Sequence, residues 1–135
     1  MPEIVTVDGM QHLAAEVWST LPPGGVVWLS GELGSGKTTF ARALTRAAGA
    51  EAARSPTYGL VHQYASPEGT IAHVDLYRLR DPAEAADLEL DQLARTSRVT
   101  LIEWPERGGR WVPPATVHLT LAHDTVPDRR RVVRA

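Results

Sequence analysis

Residues 31–38 have the sequence Gly-Glu-Leu-Gly-Ser-Gly-Lys-Thr, which matches the phosphate-binding P-loop pattern at every specified position. In such a loop, glycines let main-chain N–H groups approach phosphate oxygens, and the following helix presents its electropositive N-terminus to the same anion. We expect Lys37 to reach the β- and γ-phosphates of a nucleotide and the Thr38 hydroxyl to bind Mg²⁺. The pattern requires a strand before the loop and a helix after it, so the flanking residues test the match.

The flanking sequence meets this requirement. Val26 to Leu29 form a short apolar run between glycines, which is typical of a strand buried on both faces of a parallel sheet. Residues 38–48 are rich in strong helix formers, and Gly49 is placed to end the helix. A chance match in an ordinary strand-turn-helix unit is the alternative, and this order of elements argues against it.

The rest of the chain alternates between strand and helix patterns. We predict further strands at residues 4–7, 58–64, 71–77, 99–102, 117–121 and 131–133, a hairpin turn at 66–69, and helices at 10–21 and 82–94, the latter capped by Asp81. This order predicts one α/β domain over residues 1–135. Its fold class is P-loop NTPase-like, with a mostly parallel central sheet flanked by helices and antiparallel edge strands.

A P-loop protein needs a second group to hold the metal, usually an acid at the end of another buried strand. Glu103 directly follows the apolar run 99–102, where such an acid belongs, although a surface glutamate closing a strand would give the same pattern. We therefore predict Glu103 as a metal ligand.

Residues 71–77 contain a second candidate acid. Strand alternation places His73, Asp75 and Tyr77 on one face. Asp75 is interpreted either as a water-mediated ligand of Mg²⁺ or as the group that orients an attacking water, with a structural hydrogen bond or ion pair as the alternative. His73 is interpreted as a packed, hydrogen-bonded histidine rather than as a catalyst.

Other segments near the predicted site allow more than one interpretation. Thr57 lies where P-loop GTPases carry a switch threonine that senses Mg²⁺ and the γ-phosphate, but a plain turn fits equally well. Trp104 is predicted to cover the nucleotide or to face a partner, with core packing as the alternative. The predicted nucleotide contacts are Gly31, Leu33, Gly34, Ser35, Gly36, Lys37, Thr38, Thr39, Thr57 and Trp104; the predicted catalytic residues are Lys37, Asp75 and Glu103; the predicted metal ligands are Thr38 and Glu103.

The composition argues against several other kinds of protein. The formal net charge is -2, which argues against unaided binding of RNA or DNA, although arginines at 129–131 and 134 make the C-terminus basic. Cysteine is absent, which excludes disulfides, thiolate zinc sites and a cysteine nucleophile. No apolar run approaches the roughly 18–20 residues that span a bilayer, and residues 1–11 do not resemble a signal peptide. A cytoplasmic location without membrane association is expected.

Four segments together resemble the bacterial TsaE family. They are Gly-Glu-Leu-Gly-Ser-Gly-Lys-Thr-Thr at 31–39, Ser-Pro-Thr-Tyr at 55–58, His-Val-Asp-Leu-Tyr-Arg-Leu at 73–79 and Ile-Glu-Trp-Pro-Glu-Arg at 102–107. The P-loop alone is unspecific, whereas the combination of the last two segments is highly specific. One departure is Leu88-Glu89, where the family usually has leucine-glycine.

The resemblance implies a Mg²⁺-dependent ATPase that supports synthesis of threonylcarbamoyladenosine in tRNA. It implies ATP between the P-loop and the Glu103 strand, Mg²⁺ at Thr38 and Glu103, and a need for Asp75 in hydrolysis. It also implies TsaD and TsaB as partners, tRNA contact only through their complex, and slow hydrolysis without them. A nucleotide-gated binding module without turnover is one alternative. A small-molecule kinase is another, although residues 79–99 leave no room for a long lid insertion.

Overall fold

The computed structural model describes residues 3–6, 8–50 and 60–135. Within these residues the strands are β1 (Glu3–Thr6), β2 (Gly25–Ser30), β3 (Val61–Ser66), β4 (Gly69–Asp75), β5 (Val99–Glu103), β6 (Val117–His123) and β7 (Arg129–Arg134). The α-helices are α1 (Gly9–Thr20), α2 (Lys37–Ala47) and α3 (Leu90–Thr96), and short 3-10 helices span Pro82–Leu88, Pro105–Arg107 and Gly109–Trp111.

The strands form one sheet in the order β1-β7-β6-β2-β5-β4-β3. The central strands β4, β5, β2 and β6 are parallel to one another. Strand β3 pairs with β4 in antiparallel orientation, and β7 pairs in the same way with β6 and β1. The predicted parallel centre with antiparallel edge strands is confirmed.

Two apolar cores cover the two faces of the sheet. On one face, α1 and α2 pack over the strands through fully buried side chains such as Val17, Phe40 and Leu44. On the other face, the 3-10 helix Pro82–Leu88 and α3 pack over β4, β5 and β2 through residues such as Ala85 and Leu90. Burial of apolar side chains is the main stabilising term of such a layered fold. None of the helices in the described ranges has the length and apolar character needed to cross a membrane.

The predicted helix over residues 82–94 was wrong as a continuous element. Asp81 caps its start as predicted, since its side chain accepts a hydrogen bond from the Ala83 N–H at 2.9 Å. The backbone then turns at Glu89, whose φ of 49° and ψ of 52° lie in the left-handed region. This conformation separates a 3-10 helix from α3 because neither helix type continues through it. Glu89 therefore adopts a conformation in which a glycine would be unstrained.

The boundary of β4 also differs from the prediction. The strand ends at Asp75 rather than at residue 77, because the Asp75 carboxylate accepts a hydrogen bond from the Tyr77 N–H at 3.0 Å and turns the chain. The predicted hairpin between β3 and β4 is confirmed by the pairing of Ser66 with Gly69. The predicted strand over 58–64 is observed from Val61, and residues 58 and 59 lie outside the described ranges.

Candidate functional site

The sheet register brings the predicted site residues together at the carboxyl ends of the parallel strands. Leu29, just before the P-loop, pairs with Glu103 on β5, and Glu103 pairs with Asp75 on β4. The P-loop connects β2 to the start of α2 at Lys37. In open α/β sheets this edge is where ligands bind. The two acids predicted from separate segments are therefore neighbours across two adjacent strands.

Gly31 begins the P-loop with a φ of 141°, which side-chain-bearing residues rarely adopt. A methyl group at this position would collide with the main-chain carbonyl oxygen of Leu121 and lie 2.7 Å from the Ser35 hydroxyl. The close approach of the loop to β6 thus requires glycine for steric reasons as well as conformational ones.

Lys37 is the only lysine of the chain, and it is 4% exposed. Its ammonium group donates hydrogen bonds to the main-chain carbonyls of Gly31 at 2.5 Å and Glu32 at 2.7 Å. Burial lowers the pKa of Lys37 from its usual value, because a charged group is less stable away from water. The carboxylates of Glu103, Asp75 and Glu106 act in the opposite direction. The lysine side chain is therefore held inside the loop, with its ammonium group close enough to these carboxylates to interact with them.

The Thr38 hydroxyl and the Glu103 carboxylate, both predicted metal ligands, are in direct contact. The Thr38 hydroxyl donates toward both carboxylate oxygens of Glu103, at 3.1 and 3.0 Å, and Glu103 is only 3% exposed. Hydroxyl and carboxylate oxygens suit Mg²⁺, which takes one or two protein ligands and completes its shell with waters and phosphate oxygens. Among the described residues, no group of three or more His, Cys, Asp or Glu could hold a metal unaided. The donor set therefore fits a Mg²⁺ ion brought with a nucleotide.

Glu103 has a second partner that sequence reasoning did not identify. His73 on β4 is 9% exposed, and its Nε2 lies 2.5 Å from the Glu103 carboxylate. Because an ionised carboxylate only accepts, the imidazole N–H is the donor. The interpretation of His73 as a packed, hydrogen-bonded histidine is confirmed, but its partner is the predicted metal ligand.

Asp75 makes the structural hydrogen bond that was its alternative interpretation, and it also lies at the cleft. One carboxylate oxygen accepts the structural hydrogen bond from Tyr77, while the residue lines the same cleft as Lys37 and Thr38. The hydrogen bond orients the carboxylate, and its position in the cleft leaves it available to a bound ligand.

A cleft of about 210 Å³ opens at this edge of the sheet. Its lining comprises Met10, Leu33, Gly34, Gly36, Lys37, Thr38, Thr39, Asp75, Tyr77, Glu103, Trp104 and Arg130. Seven predicted nucleotide contacts are in this set, whereas Gly31 and Ser35 support the loop from outside the cleft and Thr57 lies outside the described ranges.

Met10, Tyr77 and Arg130 line the cleft without having been predicted as site residues. Tyr77 belongs to the segment that carries Asp75, so its place beside a candidate acid was the available signal. Met10 and Arg130 had no local signal. They reach the cleft because α1 packs against α2 and β7 pairs with β6.

Trp104 lines the cleft directly after Glu103 and has a left-handed backbone conformation, with a φ of 59°. Its ring centroid is 4.4 Å from the Lys37 ammonium and 5.0 Å from the ring centroid of Tyr77. Part of the side chain also packs on the apolar core that contains Ala85 and Leu90. Non-glycine residues in this conformation are strained and occur preferentially at functional sites. The backbone turn places the indole between the core and the P-loop lysine.

The sequence is similar to known proteins over most of its length. The sequence model of the family described as "Threonylcarbamoyl adenosine biosynthesis protein TsaE" matches residues 4–132. A protein of Rickettsia bellii with the name tRNA threonylcarbamoyladenosine biosynthesis protein TsaE is 39% identical over 113 residues, which cover 82% of this chain and 78% of that protein. A protein of the same name from Haemophilus influenzae is 37% identical over 108 residues, 79% of this chain and 67% of that protein.

The fold has a counterpart among solved structures. The crystal structure of Bacillus subtilis YdiB superimposes with a TM-score of 0.79, covering 98% of this chain and 82% of that one at 22% sequence identity. This likeness concerns the fold, while the sequence matches over nearly the whole chain concern the family. The chain therefore belongs to the TsaE family.

Proposed function

We propose that this protein is a Mg²⁺-dependent ATP-binding and ATP-hydrolysing accessory subunit for threonylcarbamoyladenosine modification of tRNA. The observation that carries the proposal is the convergence of Lys37, Thr38 and Glu103 on one cleft at the carboxyl ends of parallel strands. The P-loop supplies a cradle for phosphates, and the Thr38–Glu103 pair supplies oxygen ligands for a cation. Membership of the TsaE family supplies the biological context.

Each residue then has a defined part in hydrolysis. The loop N–H groups and Lys37 bind the phosphate chain, and the lysine charge stabilises the negative charge that develops on the γ-phosphoryl oxygens. Phosphate oxygens compete with the main-chain carbonyls of Gly31 and Glu32 for the lysine's protons. Asp75 or Glu103 orients the attacking water, since both carboxylates lie at the cleft.

Thr38 and Glu103 would hold the Mg²⁺ ion. A Mg²⁺ ion bound there would supply positive charge that offsets the negative charge of the phosphates. Burial of the Glu103 carboxylate strengthens its interaction with any cation there, because the surroundings screen charge less than water does.

The proposed partners are TsaD and TsaB, with tRNA contacted only through their complex. The relatives from Rickettsia bellii and Haemophilus influenzae are named for tRNA threonylcarbamoyladenosine biosynthesis, and this role is proposed here for the chain. A formal net charge of -2 supports recruitment through protein partners rather than unaided binding to tRNA. Slow hydrolysis by the isolated chain is expected because a partner completes the site.

A nucleotide-gated binding module is the second candidate, in which ATP occupancy rather than turnover controls docking. It shares the cleft and the cation ligands, so only the fate of ATP separates it from the first candidate. A small-molecule kinase fits less well. The stretch that would carry a lid, residues 79–99, instead forms the 3-10 helix Pro82–Leu88 and α3, which pack on the sheet through Ala85 and Leu90.

The test is Mg-ATP hydrolysis by the purified chain, with and without TsaD and TsaB. Wild type is compared with Lys37→Ala and Glu103→Gln, and Arg42→Ala serves as control because it removes an exposed cation from the same helix. We expect phosphate release to rise with the partners, to vanish in both site variants and to persist in the control. ATP binding without release under any condition would exclude the hydrolase and favour the gated module.

Nucleotide occupancy is tested separately by chemical protection of Lys37. Because the chain has one lysine, an amine-reactive reagent labels a single ε-amine, and mass spectrometry of the P-loop peptide reports it. We expect Mg-ATP to suppress labelling in proportion to its occupancy of the cleft, and Mg-GTP to suppress it less. Labelling that saturating ATP leaves unchanged would contradict phosphate binding at this loop.

A further inference from the structure

His73 has no part in the proposed chemistry, although it is a buried side chain in direct contact with a predicted metal ligand. It is 9% exposed, and its Nε2 lies 2.5 Å from Glu103 Oε2. Buried polar groups require partners, and a buried carboxylate is costly unless several donors satisfy it. His73 is therefore one of the donors on which the buried state of Glu103 depends.

The sheet register explains how the contact with His73 orients the Glu103 carboxylate. His73 pairs with Leu101 and Asp75 pairs with Glu103, so the histidine lies two residue pairs before the glutamate along the strands, on the same face of the sheet. The Thr38 hydroxyl approaches the same carboxylate from α2. The Glu103 carboxylate is thus held by one donor from α2 and one from β4. Together the two hydrogen bonds restrict rotation of the carboxylate more than either would alone.

We propose that His73 is a positioning residue that holds the Glu103 carboxylate beside the Thr38 hydroxyl as a preformed ligand pair for the cation of a bound nucleotide. This inference rests on the proposed Mg²⁺-nucleotide function. Residues that hydrogen-bond to a metal ligand fix its orientation, and their removal typically costs roughly 10–100-fold in metal affinity or activity. In the present site the cost should appear in the Mg²⁺ dependence of nucleotide binding, because the phosphate cradle does not include His73.

The experiment measures the affinity of a fluorescent ADP analogue in EDTA and across a Mg²⁺ titration, without hydrolysis. His73→Leu removes the donor, and His73→Gln keeps an N–H donor on a side chain of similar reach. His62→Leu is the matched control, because His62 is the direct cross-strand neighbour of His73 on β3. Circular dichroism and the affinity in EDTA report whether each variant keeps its fold and phosphate cradle.

We expect wild type to bind the analogue more tightly with Mg²⁺, and His73→Leu to need about 10-fold more Mg²⁺ for the same gain, with its affinity in EDTA unchanged. His73→Gln should recover much of the loss, and His62→Leu should match wild type. If His73→Leu does not fold, a His73→Gln shift that is larger than that of His62→Leu and smaller than 10-fold supports the proposal, and a shift no larger than that of His62→Leu overturns it.

Two further results would also count against positioning. Equal losses in EDTA and in Mg²⁺ would show that His73 supports the fold and not the ligand pair. No effect of Mg²⁺ on the wild-type protein would refute the cation site itself, and with it both the proposed function and this inference. The wild-type titration therefore separates failure of the function from failure of the role of His73.

Discussion

Replacing Gly31 by alanine tests whether the first P-loop glycine is required by contact with the sheet. The φ of 141° lies in a region nearly closed to alanine, and such strain costs roughly 1–3 kcal/mol. The added methyl group also collides with the Leu121 carbonyl oxygen, a main-chain atom of β6 that moves only with its strand. Overpacking of this kind costs roughly a further 1–3 kcal/mol. We therefore expect a loss of about 4 kcal/mol in the free energy of unfolding.

Gly34→Ala is the matched control, because it lies in the same loop. Its φ is 75°, and an added methyl group would lie 3.6 Å from the His123 ring, an ordinary contact. The left-handed conformation costs alanine roughly 1–2 kcal/mol, part of which is offset by the lower entropy of its unfolded chain. The expected loss is about 1 kcal/mol, so the two variants should differ by about 3 kcal/mol, or about 150-fold in the folding equilibrium.

Urea unfolding followed by far-UV circular dichroism measures both losses on one scale. Equal losses in the two variants would refute the steric argument and leave only the general conformational preference for glycine. A Gly31→Ala variant within about 1 kcal/mol of wild type would show that the loop can move away from β6 at little cost. In that case the collision would not explain why glycine is present.

Three further changes test other parts of the structure. Glu89→Gly relieves the left-handed strain between the 3-10 helix and α3, and we expect it to raise the free energy of unfolding by up to about 1 kcal/mol; a loss in the same urea assay would contradict this. Phe40→Ala empties a fully buried position where α2 packs on the sheet, and should cost about 3–5 kcal/mol, whereas a cost below about 1 kcal/mol would mean that the core collapses around it. The hydrogen bond from Arg131 lowers the pKa of Asp124. The contribution of this contact to the free energy of unfolding is therefore fully present above pH 3.8 and is lost as the pH falls through the lower folded-state pKa of Asp124. Urea unfolding across pH should therefore show wild type more stable than Asp124→Asn near neutrality, with the difference closing below about pH 4 and a constant difference arguing against the contact.

The order of the central strands and helices along the chain and the P-loop part of the site were predictable because short stretches of sequence indicate them. The P-loop residues are adjacent in sequence, and the apolar runs at β2 and β5 mark buried parallel strands without reference to their neighbours. Glu103 was predicted as a site residue because it ends such a run, and the structure places it at the cleft. The break at Glu89 has no signal in the residue itself, because glutamate favours a helix.

The sequence by itself determined which reactive groups this protein carries: a glycine-rich loop with a lysine, a threonine hydroxyl and acids at strand ends, each in a short segment. The tertiary structure decided which of these groups meet. Thr38 and Glu103 are 65 residues apart, and His73 reaches Glu103 only because β4 lies beside β5 in this register. Arg130 likewise enters the cleft because β7 lies between β1 and β6. The order and register of strands that are distant in sequence depend on packing between those segments, and no short segment encodes them.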